Sequence, residues 1–411
     1  MPTQKDNKIN VMISLSFVLF LVDFFLVSEL NIASLSGLRI QDIAALLTVL
    51  FGMPIFHSLR SDGRLRNLVR FSVFYFYYLS LTNLFFMIKH DLWFKHVFYV
   101  LKEFEFLLAF FITVYIFAKR PSWAMNLIKS LVILNASFGM FQILTGQISY
   151  YGIGTIVSRA PSVAGNVYFV SMVVMFFMYM YYRQLNFLMW SLFCVILTLF
   201  TISRTYIVVT ILFLVTFYSM EMVTKVIRRN KFSYRTSFLF LCFIVCLLFT
   251  AFFVQDISKH VDNLAGQTVF LPRILHRMSV LGHASDYRSE KAKQYYRIFV
   301  NDSVSVILFG QGKGRTEQYF GVSTLAVDNQ YIRSLIEMGV VGITLWLLII
   351  IAFVASLKES NDTLKRNIFI AILVSYFAAS IGTEVFQTTH PGFAFWFLAG
   401  MIYGTPKRVI E

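Results

Sequence analysis

Apolar runs about as long as a bilayer is thick recur along almost the whole chain, and no other feature limits its fold so severely. A hydrocarbon core of about 30 Å takes about 20 apolar residues to cross as helix, because lipid offers the backbone no hydrogen-bond partner outside the segment. Runs of that kind cover Ile9 to Val27, Ile40 to Phe56, Leu68 to Ile88, Val97 to Ala118, Met125 to Leu144, Val167 to Tyr182, Phe187 to Ile202, Thr205 to Val223 and Ser237 to Val254. After a polar interval come Val340 to Leu357, Ile368 to Val385 and Gly392 to Tyr403. The expected architecture is therefore an all-α polytopic membrane protein of about 12 transmembrane helices. Composition agrees, since 58% hydrophobic and 14% charged residues give more apolar surface than a soluble core can hide. The first run is read as a retained helix, because it is of full length and lacks a small-residue cleavage pattern.

The short connections set the expected orientation. One alternating set carries Lys5, Lys8, Arg60, Arg64, Arg66, Lys119, Arg120, Arg183, Lys225, Arg228, Arg229, Lys231, Arg235, Lys358, Lys365, Arg366, Lys407 and Arg408. The other carries Arg39, Lys89, Lys95, Arg159 and Arg204. Positive residues near helix ends stay on the cytoplasmic side, so the first set and both termini are expected there. Residues 1–254 then hold nine helices, 255–338 form one large external loop, and 339–411 hold the last three helices and a short tail.

The net charge of +15 is explained mostly by this asymmetry, which leaves nucleic acid unnecessary as a partner. Cys194, Cys242 and Cys246 all fall in apolar runs, so neither a disulfide framework nor a cysteine metal site is expected. The 46 phenylalanines read as lipid-facing surface.

Polar chemistry near the external face is more informative. An ionisable group at the bilayer centre costs roughly 2.5–3.5 kcal/mol, so those that persist face a bundle interior or a cavity. Asp23 lies near the outer end of its run, and Lys102 with Glu105 either neutralise each other on one helix face or line a cavity. Arg159 lies in Ser158-Arg159-Ala160-Pro161-Ser162-Val163-Ala164-Gly165-Asn166, and Arg204 in Ser203-Arg204-Thr205 between two runs with almost no loop. In the long loop, Ser285 or Asp286 can cap an amphipathic helix through Val300, with Ala292, Tyr295, Tyr296 and Phe299 on its apolar face and Arg288, Lys291 and Lys293 on the other. The strand-like Val304 to Phe309 leads into Gly310-Gln311-Gly312-Lys313-Gly314-Arg315. This is no nucleotide loop, because the third glycine is misplaced and a P-loop lysine and hydroxyl are missing. It is expected to be a turn whose backbone can approach a ligand. Next comes Asp328-Asn329-Gln330-Tyr331-Ile332-Arg333-Ser334-Leu335-Ile336-Glu337-Met338-Gly339-Val340-Val341-Gly342, running into a membrane helix.

These pieces, in this order, resemble the bacterial O-antigen polymerase and ligase family. The likeness rests on the Arg159 loop ending in Gly-Asn, Ser203-Arg204-Thr205, the Arg288 helix, Phe309-Gly310-x-Gly312 and Glu337-x-Gly339-x-x-Gly342. It spans roughly Arg159 to Gly342, and the first four runs carry little of it. The resemblance implies a GT-C-like fold and a metal-independent, cofactor-free glycosyltransferase acting at the outer face of the inner membrane on sugars linked to undecaprenyl pyrophosphate. Arg159, Arg204 and Arg288 would then bind the pyrophosphate, since a guanidinium offers a permanently charged fork to phosphate. Tyr287, Tyr295, Asn329 and Tyr331 would contact the glycan.

The ligases of this family resemble one another in having histidine immediately before the asparagine, where this chain has Asp328. His260, His276 and His283 lie elsewhere in the loop. The departure favours a Wzy-type polymerase over a ligase, with Asp328 either a catalytic base beside Arg288 or merely a cap for the next helix. A lipid-linked oligosaccharide flippase is the reading from another class, although internal repeats and midplane sites are not evident. The family would supply a Wzz-type chain-length regulator and a flippase as partners.

Overall fold

The computed structural model describes residues 4–26, 40–52, 55, 59, 62–90, 94–145, 153–156, 161–201, 203–227, 290, 293–314, 316, 329–359, 362–381 and 389–406. Among them every regular element is helical. The order is α1 (Gln4–Leu26), α2 (Ile40–Phe51), a 3₁₀ turn (Gly63–Leu65), α3 (Arg66–His90), α4 (Phe94–Lys119), α5 (Pro121–Leu144), α6 (Pro161–Tyr182), α7 (Leu185–Phe200), α8 (Arg204–Ile227), α9 (Val304–Phe309), α10 (Gln330–Glu359), α11 (Thr363–Ala379) and α12 (Thr389–Gly404). A further helical stretch covers 293–300. The expected run Ser237 to Val254 lies outside the described residues.

Pro121–Leu144, Val163–Tyr182, Thr205–Thr224 and Gln330–Lys358 are each long and apolar enough to cross a bilayer. The chain is a helical, membrane-embedded protein. α6 is its centre, with most of its side chains buried. Phe169 and Phe176 of α6 meet Phe213 of α8 edge-on at centroid distances of 6.1 and 5.9 Å, and Phe176 meets Phe217 at 4.9 Å. These four rings are buried, so this part of the phenylalanine excess fills the interior and not the lipid face expected for it. Edge-to-face contacts explain why such rings suit helix interfaces in lipid, where apolar burial alone drives little.

Small residues bring α12 against α4. A Cβ on Gly400 would lie 2.8 Å from the Phe110 carbonyl oxygen and one on Gly404 2.7 Å from that of Val114. The pair forms a small-xxx-small face that lets two backbones touch.

Contacts at the helix ends sort the connections. The Tyr403 hydroxyl donates to Asp62 (3.1 Å), the Tyr181 hydroxyl to the Pro406 carbonyl (2.9 Å), the Asn367 amide to Glu221 (3.4 Å) and the Lys365 ammonium to the Thr405 carbonyl. They gather at one end Asp62, the last turns of α6, α8 and α12 and the first turn of α11. The starts of α4, α6, α8 and α10 and the end of α11 lie at the opposite end.

Candidate functional site

The opposite end is assembled around α10. This helix is broken at Gly339, whose φ of 61° and ψ of −176° separate a first part, 330–338, from the long apolar part. Val304 to Phe309, expected as a strand, is a short helix instead. Ser303 precedes it in an extended conformation and Gly310, with φ 76°, ends it. A short apolar run has no period long enough to distinguish the two states.

The glycine turn that follows docks on the break. The Gln311 amide donates to the Ile336 carbonyl (2.7 Å) and the Gly312 amide to that of Glu337 (3.0 Å). A Cβ on Gly310 would lie 2.5 Å from the Glu337 carbonyl oxygen, and one on Gly339 would overlap the Leu308 carbonyl. Tyr78 of α3 closes the joint, its hydroxyl lying 3.0 Å from the Phe309 carbonyl and 2.6 Å from that of Met338. The close backbone approach anticipated for the glycine turn is thus made to the protein's own helix. Phe299, Val306 and Ile336 form a small buried cluster beside it, apart from the main core. The apolar face of 293–300 is in this way partly satisfied by protein: Phe299 and Tyr295 are buried, whereas Tyr296 is 51% exposed.

Charge is concentrated under the turn. Lys313, 3% exposed, places its ammonium 2.6 Å from Glu103 of α4 and 3.8 Å from Glu337 of α10. Glu337, 2% exposed, also receives Arg333 Nε at 2.9 Å and the Thr316 hydroxyl at 3.0 Å. Two acids and two bases are therefore gathered inside an apolar bundle. The residues are far apart in sequence, and neither Glu103 nor Lys313 was among the expected site residues. The nearest sequence clue was the cluster of charges at Lys102, Glu103 and Glu105 inside an apolar run.

Asn329 begins α10. Its carboxamide oxygen accepts from the Tyr331 and Ile332 amides (3.0 and 3.2 Å), and its nitrogen donates to the Ile381 carbonyl (3.2 Å). It is a helix cap with both ends engaged. The Tyr331 hydroxyl donates to the Phe377 carbonyl (2.6 Å), and its ring stacks on Phe377. Both of these glycan-contact candidates thus have their side-chain polar groups engaged by the protein.

A second assembly lies around α6 and α8. Residues 153–156 run non-helically into the bundle, with Ile153 and Thr155 buried. The Ile153 amide donates to the Phe200 carbonyl (3.1 Å), that of Gly154 to Gln142 Oε1 (2.8 Å) and that of Ile156 to Asn135 Oδ1 (3.4 Å). The Tyr168 hydroxyl donates to the Gly154 carbonyl (2.9 Å). Such satisfaction is what lets irregular backbone enter an apolar interior. Beyond it, Gly165 packs on Ser203, whose Cβ would lie 2.8 Å from a Cβ there, so the first turn of α6 touches the residue before Arg204. Asn166 is fully buried and lies within 3.4 Å of the Tyr376 hydroxyl.

Arg204 is the first residue of α8, and its side chain lies outside what is described. Arg159, Arg288, Tyr287 and Asp328 lie outside the described residues. Among those described, no group of three His, Cys, Asp or Glu is arranged to hold a metal ion. Neither a family model nor a curated protein matches this chain.

Proposed function

We propose that the protein is a bacterial polysaccharide polymerase of the Wzy type. It moves a growing glycan from undecaprenyl pyrophosphate onto the nonreducing sugar of a fresh lipid-linked repeat, at the outer face of the inner membrane. The product is O-antigen or a similar surface polysaccharide.

One observation carries this reading furthest. Two of the sequence elements behind the family resemblance, Phe309-Gly310-x-Gly312 and Glu337-x-Gly339-x-x-Gly342, are packed on each other, and Ser203-Arg204-Thr205 starts a helix beside the Gly165-Asn166 turn. Motifs that were only ordered along the chain are neighbours in space. In this reading about 12 helices span the membrane, with the Lys- and Arg-rich end in the cytoplasm and the α10 entrance outside. Arg159, Arg204 and Arg288 neutralise charge on the departing lipid pyrophosphate, where a metal would otherwise be used. Asp328 orients or deprotonates the acceptor hydroxyl.

The glycolipid profile of a deletion strain tests it. Core carrying a single repeat supports the polymerase. Long polymer stranded on undecaprenyl pyrophosphate would assign a ligase, and repeats trapped on the inner leaflet would assign a flippase.

A further inference from the structure

A cluster of buried charges is an expensive way to fill an apolar interior. Each ion loses its hydration, and well-packed hydrophobic residues of the same volume often give equal or greater stability. What such a set can give instead is a unique arrangement, since a misplaced partner strands a buried charge. The four charges here join three pieces of chain: Glu103 from α4, Lys313 from the glycine turn, and Arg333 with Glu337 from the first part of α10. The turn is fixed to α10 by backbone hydrogen bonds and by the Gly310–Gly339 approach. It meets α4 through the Lys313–Glu103 pair and through Gly314 against the Tyr99 ring. The apolar cluster beneath it has only Phe299, Val306 and Ile336 at its centre, so its own burial holds it weakly.

We propose that Lys313 and Glu103 are positioning residues, which pin the 293–316 segment and the first part of α10 to α4. This inference rests on the polymerase reading for its link to glycan transfer, because that reading places the reacting groups beside the α10 entrance. Glu103 anchors from the membrane helix, and Lys313 spans from it to Glu337. The entrance of α10 is thereby held at one distance from the α4 backbone.

Val306→Cys reports docking, since Val306 is buried between Phe299 and Ile336. It is placed in a full-length protein whose Cys194, Cys242 and Cys246 are replaced by alanine, and a membrane-impermeant maleimide is applied to cells. With the pin intact, labelling is slow. Lys313→Met should speed it at least about tenfold, because one partner of a buried pair is lost. That variant strips Glu103 of its ammonium partner and can fail to fold, so Glu103→Gln/Lys313→Met, which removes both charges of the pair, is compared at equal protein amount. It should fold to the normal level, still label fast and yield short polymer. Slow labelling in the double variant would overturn the proposal, as would fast labelling with full-length polymer. Loss of the polymerase reading is distinguishable: a wild-type copy that restores no polymer to the deletion strain defeats that reading while leaving the labelling result intact.

Discussion

Gly310 and Gly339 face each other backbone to backbone, and both adopt positive φ, 76° and 61°. Each would drive a side chain into the other's strand of main chain, so the joint between the turn and the broken helix exists only with glycine on both sides.

Gly339→Ala should therefore destabilise the protein by more than about 2 kcal/mol, combining left-handed backbone strain with overlap on the Leu308 carbonyl. Melting of the detergent-solubilised protein measures it. Gly63→Ala is the control, since nothing lies within 4 Å of a Cβ there. Equal melting of the two variants would mean that the joint is not formed.

Gln142→Met removes the acceptor for the buried Gly154 amide. An orphaned buried donor costs about 1–3 kcal/mol, so hydrogen exchange in a peptide covering 153–156 should accelerate roughly tenfold or more. Unchanged exchange would show that the segment is held by other means.

The arginine reading predicts that Arg204→Lys and Arg288→Lys fail nearly as badly as the alanine variants, because lysine keeps the charge and loses the fork. Losing one donor to a developing charge costs about 2.7–4 kcal/mol in the barrier, so polymer should drop roughly a hundredfold at normal protein level. Lys291→Ala should be silent. Wild-type polymer length from both lysine variants would remove the clamp.

Topology is tested by cysteines near Arg64 and Lys365, which should resist an impermeant thiol reagent, and by one at Ser305, which should react. Ser305 is the better external probe because it is exposed, whereas Gly312 in the neighbouring turn is buried. The reverse pattern would move the proposed site to the cytoplasm.

Hydropathy and length made the helices legible, since lipid forces each span to satisfy its own backbone; Leu68 to Ile88 and Val97 to Ala118 fall inside α3 and α4. Val304 to Phe309 reads as a strand because a six-residue segment with five apolar residues can pack as either state, and the neighbours at Ser303 and Gly310 decide. The Lys313–Glu103 pair was illegible for a different reason: it joins positions separated by 210 residues, and nothing local to either names the other. The cap at Asn329 shows only in its hydrogen bonds, because asparagine and aspartate are both good caps by residue type.

Main-chain groups at two helix ends also meet directly, for the Gln330 amide at the start of α10 donates to the Ser380 carbonyl at the end of α11 (3.0 Å). Helix termini leave such amides and carbonyls without partners of their own. The ribosome makes Ser380 after Gln330, so this contact at the α10 entrance can form only once the following helix has been made. The order of translation thereby becomes an order of maturation: this end of the bundle acquires its final form only when its last helices arrive.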